Sequence, residues 1–389
     1  MLMTALERVM TTINHRIPDR VPVDLHNFLA AIRYSGLPLG EALQDGEMLA
    51  ESQLTYWKDF GHDVLLVENG VVAEAQACGC TATYPADQPA DIVTHVLAAG
   101  LERVVDLEVP DPFTTQPMCE VLKAVRILVR EVGDRVFIMG RADQGPAALF
   151  GALRGYEQFI LDLALNEQPE LIRQTLEFCT RVHQRYAEAF REVGAHGTSM
   201  GGAGVDLIGP RLHREYCHPF ATQVIQAVGS ADYPFALHIC GDATEILPEM
   251  VATGAQILEL DYKTDMRIAK EALRGRATFL GPINPVLLWG AESPSEVDTA
   301  AREAIEILAP GGEFILGPGC ALGLDTPPAN IHALIESARK YGQYKPDGSL
   351  AAAGPRCAST RSPGRQANGS NGPIGTRCAS QVGLDRALR

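Results

Sequence analysis

Residues 235–242 read Phe-Ala-Leu-His-Ile-Cys-Gly-Asp. The apolar run predicts a buried β-strand, the glycine lets the chain turn at its end, and Asp242 can cap a following helix. Residues 243–253 then carry a helical pattern. This stretch is therefore a strand-turn-helix unit of the kind that repeats in parallel α/β proteins.

The same alternation of a short apolar run and a longer helical pattern extends along most of the chain. The predicted strands are residues 21–25, 63–67, 135–139, 198–206, 235–239, 256–260, 277–280 and 313–316. The predicted helices are residues 41–59, 115–132, 167–192, 211–228, 243–253, 265–274, 295–308 and 329–342. Eight such units in a row favour an α/β protein with a closed (β/α)8 TIM barrel over an open doubly wound sheet.

Three further segments complete the predicted organisation. The amphipathic pattern that begins at Met1 predicts an N-terminal extension, and the Cys- and Gly-rich residues 71–90 predict a hairpin inserted after the second strand. Residues 1–345 are expected to form one barrel domain and residues 346–389 a disordered tail. From about residue 351 the chain is rich in Gly, Ser, Ala and Arg and lacks apolar periodicity, a composition that does not support a packed core. An interaction tail is the alternative.

Composition and charge exclude several classes of function. The chain of 389 residues carries a formal net charge of −15, which disfavours nucleic acid as a partner because phosphates would not be neutralised. No apolar run approaches the roughly 18 residues that span a membrane, and the N-terminus lacks the pattern of a signal peptide. We therefore expect a cytoplasmic protein, with its 9 cysteines mostly buried rather than paired in disulfides.

One histidine and two cysteines are candidate metal ligands. Side chains at i and i+2 of a strand share a face, so His238 and Cys240 are expected to point together into the barrel mouth, where active sites of such barrels lie. The last strand ends Gly317-Pro-Gly-Cys320, which places Cys320 at the same rim. One imidazole and two thiolates suit zinc rather than magnesium, and three ligands leave a position open for substrate. A pair of ordinary core residues is the alternative.

The sequence also contains a set of motifs in a recognisable order. They are Gly145-Pro-Ala-Ala-Leu-Phe-Gly-Ala-Leu-Arg-Gly, Leu207-Ile-Gly-Pro, His238-Ile-Cys-Gly, Gly281-Pro-Ile-Asn-Pro, Gly317-Pro-Gly-Cys-Ala-Leu and Thr326-Pro-Pro-Ala-Asn. With these motifs the chain resembles the uroporphyrinogen decarboxylase superfamily. Its His-x-Cys…Cys pattern resembles the zinc methyltransferase branch of that superfamily, which passes methyl groups from a corrinoid protein to coenzyme M or to tetrahydrofolate.

This resemblance implies that His238, Cys240 and Cys320 bind Zn²⁺ and are the catalytic centre of a corrinoid-linked methyltransferase. It also implies a methylcobalamin-type corrinoid carried by a partner protein. The chain does not supply the corrinoid ligand itself, because Asp24-Leu-His-Asn-Phe-Leu lacks the glycine of the Asp-x-His-x-x-Gly motif. Two departures concern the substrate: Arg33 stands alone where the decarboxylases have several arginines, and Met200 stands near the place of an acidic residue.

Four further polar residues follow predicted strands and are expected to line the substrate pocket. They are Glu68, Asp143, Asp261 and Asn284. The alternative for each is a helix cap or an ion pair across the rim of the barrel.

Three other functions remain open from the sequence. The first is a metal-free decarboxylase, which would need cationic residues in the pocket. The second is a demethylase, which would pass a methyl group from its substrate onto the corrinoid. The third is a barrel with a purely structural zinc ion, which would have four protein ligands.

Overall fold

The computed structural model describes residues 2–202 and 204–351. Its strands are β1 (Val64–Val67), β2 (Thr81–Thr83), β3 (Asp91–Thr94), β4 (Phe137–Arg141), β5 (Gly197–Met200), β6 (Phe235–Ile239), β7 (Ile257–Leu260), β8 (Thr278–Ile283) and β9 (Phe314–Pro318). Seven of them form one parallel sheet in the order β1-β4-β5-β6-β7-β8-β9. Strands β2 and β3 form a separate hairpin. When they are left aside, strands that are neighbours in the sheet are also consecutive along the chain, which is the arrangement of strands in a barrel.

An extended segment, residues 21–25, lies at the seam between the first and the last strand of this sheet. Val23 forms a parallel bridge with Leu316 of β9, and the Val23 carbonyl accepts a hydrogen bond of 2.8 Å from the Asp63 amide beside β1. The segment predicted as the first strand therefore lies between β1 and β9, where it closes the barrel, although its pairing is too short to count as a full strand. The predicted barrel fold is confirmed.

Helices alternate with the strands along the chain and cover the outside of the sheet. They are α1 (Ala5–Ile13), α2 (Phe28–Tyr34), α3 (Leu39–Ala42), α4 (Gly46–Phe60), α5 (Ala73–Ala77), α6 (Met118–Val132), α7 (Gly145–Arg154), α8 (Tyr156–Leu165), α9 (Pro169–Glu192), α10 (Gly209–Leu212), α11 (His218–Val228), α12 (Leu247–Ala252), α13 (Met266–Leu273), α14 (Pro285–Gly290), α15 (Pro294–Leu308) and α16 (Pro328–Tyr341). A π-helical turn, His213–Cys217, joins α10 to α11. No helix in the described ranges is long and apolar enough to cross a membrane.

The N-terminal helix α1 packs at the N-terminal end of the barrel. Its Val9 and Ile13 join a buried cluster with side chains from β1, β4, β6, β7, β8 and β9. Beside them the Arg8 guanidinium pairs with Asp63 Oδ1 at 2.6 Å and with Asp19 Oδ1 at 2.6 Å. The predicted N-terminal extension therefore contributes to the barrel core rather than lying apart from it.

Three predicted boundaries differ clearly from the structure. The strand predicted for residues 198–206 ends at Met200, and Val205–Leu207 forms a 3₁₀ turn instead. The insertion predicted for residues 71–90 begins with α5, and the antiparallel pair of β2 and β3 extends beyond it to Thr94. Residues 346–351, predicted as part of the tail, form a turn in which Leu350 bridges to Tyr344 and the Gly348 carbonyl accepts a bond from Gly311. The rest of the predicted tail, residues 352–389, lies outside the described residues.

Candidate metal centre

The C-terminal ends of β6 and β9 bring the three predicted ligands together. His238 lies in β6, Cys240 follows that strand directly, and Cys320 lies two residues beyond β9. His238 Nε2 lies 3.2 Å from Cys240 Sγ, and the two cysteine sulfurs are 3.8 Å apart. The three side chains are buried, and their donor atoms all lie within 4.8 Å of one another. The chain thus presents one nitrogen and two sulfurs to a common point.

The backbone of β7 fixes the orientation of the His238 ring. His238 Nδ1 lies 3.0 Å from the Glu259 carbonyl oxygen, to which it donates, and Nε2 is therefore the nitrogen directed at the cysteines. A ligating histidine is commonly held in this way by a bond from its other nitrogen. Burial lowers the pKa of His238, but Glu259 and Cys320 more than offset this and raise it to about 9.

A buried network of four charged side chains lies behind the cluster. Glu259 Oε1 is 2.7 Å from His26 Nδ1, and Glu259 Oε2 is 2.6 Å from Arg141 Nη2. Glu68 closes the ring, with Oε1 2.6 Å from His26 Nε2 and Oε2 3.4 Å from Arg141 Nε. Each carboxylate therefore contacts both cations, an arrangement that compensates for removing four charged groups from water.

The network shifts the pKa of His26 and of Glu259, each in the direction that favours its charged form. Burial disfavours the charged form of His26, but Glu259 and Glu68 outweigh it and raise its pKa to about 10. Burial likewise opposes ionisation of Glu259, yet His238, His26 and Arg141 hold its pKa well below the usual range. For Asp24, burial and the nearby Glu259 charge outweigh the charge of His26 and raise the pKa to about 6.

A cleft of about 470 Å³ opens onto this site. Apolar side chains from α2, from the region after β1 and from Ala321 form part of its wall. The polar lining is His26, Glu68, Asn69, Arg141, Gln144, His238 and Cys320. Small-molecule sites typically combine apolar walls with a few polar groups in this way.

The four additional predicted pocket residues have different positions. Glu68 lines the cleft. Asp261 lies at the end of β7, and its Oδ2 accepts a bond of 3.0 Å from the Gly241 amide, which fixes the turn after Cys240. Asn284 caps α14 by accepting from the Val286 amide at 2.9 Å, so for this residue the structure matches the alternative of a helix cap.

Asp143 lies in a separate buried pair rather than among the residues that line the cleft. Its Oδ2 accepts a bond of 3.0 Å from the Glu74 amide, and Glu74 Oε1 is 2.8 Å from His183 Nδ1. Burial raises the pKa of both carboxyl groups well above the ordinary range. Asp143 is therefore not among the described residues that line the cleft, and its part in substrate binding stays a prediction; its backbone is left-handed, with φ 61°.

Three residues of the network were not predicted. His26 follows the first predicted strand, Arg141 ends β4, and Glu259 lies inside β7. Glu259 could have been identified as a candidate from the sequence, because a carboxylate within an otherwise apolar strand needs a buried partner. Which cation it meets depends on strands far apart in the sequence.

The donor set matches the chemistry of zinc. One imidazole nitrogen and two thiolate sulfurs are the ligands of several catalytic zinc sites, whereas magnesium and calcium prefer oxygen. The Nδ1 contact of His238 provides the outer hydrogen bond that such a ligand commonly has. The residues present therefore fit a three-ligand zinc ion.

Comparison with known families gives one match over most of the chain. Residues 4–341 match the family described as uroporphyrinogen decarboxylase (URO-D). Methylcobamide:CoM methyltransferase MtbA of Methanosarcina acetivorans is 27% identical over 348 residues, which cover 87% of this chain and 98% of that protein. Methylcobamide:CoM methyltransferase MtaA of Methanosarcina barkeri is 26% identical over 347 residues, with the same coverage of 87% and 98%.

A solved structure has the same overall architecture. A methyltransferase from Methanosarcina mazei superposes with a TM-score of 0.78 at 23% sequence identity, and the match covers 87% of this chain and 98% of that one. At this level of identity the likeness concerns the fold. It agrees with the barrel described above.

Proposed function

This chain belongs to the uroporphyrinogen decarboxylase (URO-D) family, and on this premise we propose that it is a methyltransferase. The proposed reaction moves a methyl group from a methylcobamide, carried by a separate corrinoid protein, to a thiol. The observation that carries the proposal is the buried cluster of His238, Cys240 and Cys320 at the ends of two barrel strands. Both MtbA and MtaA, whose names specify a methylcobamide and CoM, support this pairing of donor and acceptor.

We assign the metal ligands to His238 Nε2, Cys240 Sγ and Cys320 Sγ. Zinc held there would lower the pKa of an acceptor thiol at the open position, so that it reacts as the more nucleophilic thiolate. A metal at Nε2 would take the place of the proton on that nitrogen, while the Nδ1 proton stays engaged by the Glu259 carbonyl. The two cysteine thiolates would balance the charge of a divalent ion, which would keep the acceptor sulfur electron-rich.

The transfer step conserves atoms and electrons without an added oxidant. The thiolate sulfur forms a bond to the methyl carbon while the carbon–cobalt bond breaks, and both electrons of that bond remain on cobalt, which leaves as cobalt(I). The acceptor proton passes to solvent. The contribution of the barrel is to hold the sulfur in a fixed position and to exclude water around it, since the three ligand side chains are buried.

The corrinoid is proposed to come from a partner. The nearest match in the chain to a corrinoid-ligating motif has His26 as its histidine and Leu29 in place of its glycine. The two ring nitrogens of His26 face Glu68 and Glu259 at 2.6 and 2.7 Å. That histidine is therefore committed within the network. We assign the chemistry to the predicted domain of residues 1–345 and assign no role to the remaining tail.

Metal content of the purified protein tests the centre. We expect about one zinc per chain by mass spectrometry, as for a mononuclear catalytic site, and loss of most of it in Cys320→Ser. Cys119→Ser is the matched control, because Cys119 lies at the start of α6, outside the cluster. Zinc retained fully in Cys320→Ser would show that the ion is held elsewhere.

Methyl transfer is then followed with methylcobalamin as donor and either coenzyme M or tetrahydrofolate as acceptor. We expect zinc-dependent loss of methylcobalamin with the thiol. Turnover with tetrahydrofolate alone would contradict the assignment of a thiol acceptor. A protein that neither binds zinc nor transfers methyl groups would favour the alternative of a metal-free decarboxylase.

A further inference from the structure

We propose that Asn69, Arg141 and Gln144 bind an anionic group at the far end of the acceptor thiol and thereby determine which thiols are accepted. We call these three residues the anion site. The inference rests on the proposed function, because it concerns the molecule whose sulfur the metal centre would activate. The order of the strands around the barrel and the unused hydrogen-bonding groups of the cleft support it.

The anion site lies across the barrel mouth from the metal centre. Asn69 lies two residues beyond β1, Arg141 ends β4, and Gln144 lies three residues beyond β4. His238 and Cys320 belong to the ends of β6 and β9, which flank β7 and β8 in the sheet. With residues 21–25 as the eighth member of the barrel, β1 and β4 lie opposite β7 and β8. All five side chains line one cleft, so an acceptor with its sulfur at the metal centre can extend toward the anion site.

Gln144 contributes an amide that no other residue uses. Its side chain is half-buried, lines the cleft and makes no hydrogen bond to another residue in the described part of the chain. A Cβ built at Gly201 would overlap the Gln144 amide oxygen, so the glycine leaves room for this amide. A carboxamide nitrogen has two N–H groups to donate.

Asn69 and Arg141 have further N–H groups beside it. Asn69 Nδ2 makes one long contact, of 3.4 Å, with the Leu43 carbonyl oxygen. Arg141 Nη2 contacts Glu259 at 2.6 Å and Nε lies 3.4 Å from Glu68, whereas Nη1 has no hydrogen-bond partner among the residues that the structure describes. Hydrogen bonds from such donors are stronger when the acceptor is ionised.

The charges around the cleft are compatible with an anion at this place. Glu68 is the one carboxylate among the described lining residues, and its two oxygens face His26 at 2.6 Å and Arg141 at 3.4 Å. With His26 protonated, its charge and that of Arg141 cancel those of Glu68 and Glu259. An ionised group removed from water must still be hydrogen-bonded or paired. The binding of an anionic thiol should therefore depend on the donors of the anion site, whereas a neutral thiol does not need them.

The test compares two short thiols, of which one is charged. Zinc-loaded protein is titrated calorimetrically with 2-mercaptoethanesulfonate and with 2-mercaptoethanol. We expect the sulfonate to bind about tenfold tighter or more, because hydrogen bonds to a charged group contribute at least that factor. Equal binding of the two thiols, or tighter binding of the alcohol, would overturn the inference.

The variant Gln144→Leu removes the amide at a similar side-chain size. We expect its affinity for the sulfonate to fall about tenfold, while its affinity for 2-mercaptoethanol and its zinc content stay those of the parent. Gln158→Leu is the matched control, because Gln158 is exposed on α8, bonds to Asp162 and is not among the lining residues. An equal loss in both variants, or no loss in Gln144→Leu, would contradict the role of Gln144.

The variant Gly201→Ala displaces the Gln144 amide without removing it. Gly201 is not among the described glycines with a left-handed backbone, so alanine can adopt its conformation. We expect a similar loss of sulfonate affinity, and no further loss when Gly201→Ala is added to Gln144→Leu, because both changes act through one side chain. Additive losses would contradict the assigned position of Gln144.

Two outcomes separate the anion site from the proposed function. Methyl transfer to coenzyme M by the parent, with unchanged sulfonate binding in Gln144→Leu, would overturn the anion site alone. Sulfonate binding that depends on Gln144, without methyl transfer from methylcobalamin to any thiol, would support the anion site and count against the proposed function.

Discussion

Glu259 links the candidate metal ligands to the charged network. Its carbonyl oxygen accepts from His238 Nδ1, while its two carboxylate oxygens contact His26 and Arg141. The side chain is completely buried, so either cation would lose its main compensation if the carboxylate were removed. One residue of β7 therefore orients a ligand and neutralises the charges behind it.

His62 is expected to make folding stability sensitive to acid. It is 1% exposed, neither ring nitrogen has a hydrogen-bond partner, and burial lowers its pKa to about 3. Between about pH 6.5 and pH 3 the unfolded chain takes up a proton that the folded chain does not. The free energy of unfolding then falls as pH falls, by on the order of 1 kcal/mol per pH unit.

The variant His62→Gln should lose this contribution. Urea unfolding at about pH 7 and about pH 5 is expected to show a smaller fall in stability for the variant than for the parent chain. His332→Gln is the control, since His332 is exposed on α16. An undiminished pH dependence in His62→Gln would show that other groups cause it.

At the scale of single residues, the sequence predicted that the three candidate ligands cluster, but it predicted little of their surroundings beyond Glu68. His238 and Cys240 could be paired because a strand repeats every two residues, and Cys320 because it follows another strand end. The roles of Arg141 and His26 could not be predicted, since their partner Glu259 belongs to a strand distant in the sequence. The clustering is observed, whereas zinc binding remains a proposal.

At the scale of elements, the close approach of the β7 and β9 ends should control the metal centre. A Cβ added at Gly319 would lie 2.6 Å from the Tyr262 amide nitrogen and 3.0 Å from the Asp261 carbonyl carbon. Gly319→Ala must therefore displace backbone next to Cys320. We expect the zinc affinity, measured by competition with a chelator, to fall by about tenfold or more, as for other changes around a metal ligand.

Gly323→Ala is the matched control for this prediction. It lies in the same loop, and its added Cβ would have its nearest contacts with side chains, at 3.4 Å or more. Its zinc affinity should be unchanged. An equal loss in both variants would attribute the effect to the loop as a whole rather than to the approach at Gly319.

The repeating elements could be predicted more fully than the insertions between them. The eight βα units follow from alternating patterns, whereas α2 and α7 were not predicted. Phe28 to Ile32 and Gly145 to Leu153 are buried throughout, so these helices lack the polar face that reveals a helical period. The π-helical turn His213–Cys217 lies inside a predicted helix, where the sequence pattern does not distinguish it.

At the scale of the whole molecule, Asp63 is expected to stabilise the closed barrel. Its carboxylate accepts from Arg8 at 2.6 Å, from Arg20 at 2.8 Å and from the Val23 amide at 2.8 Å. It thereby joins α1 and the extended segment of residues 21–25 to the start of β1. Asp63→Asn should lower the free energy of unfolding by about 3 kcal/mol, because buried cations would lose a counter-ion.

Urea unfolding of Asp63→Asn and of Arg274→Ala compares the loss of stability from a buried ion pair with the loss from an exposed one. Arg274 forms an ion pair with Glu271 in which both side chains are largely exposed, and its removal should change stability by less than about 1 kcal/mol. Similar values for the two variants would show that Asp63 is no more important than a surface charge.

The bridge between Val23 and Leu316 also determines when the fold can be completed during synthesis. The segment that contains Val23 leaves the ribosome early, whereas β9 is translated near the end of the described chain. Contacts between residues so far apart in sequence form slowly, because the entropy of closing the loop is lost before the contacts contribute any free energy. Unpaired strand edges are also prone to pair with other molecules. The nascent chain therefore carries an incomplete barrel through most of translation, and this is the interval in which a chaperone would have the most to protect.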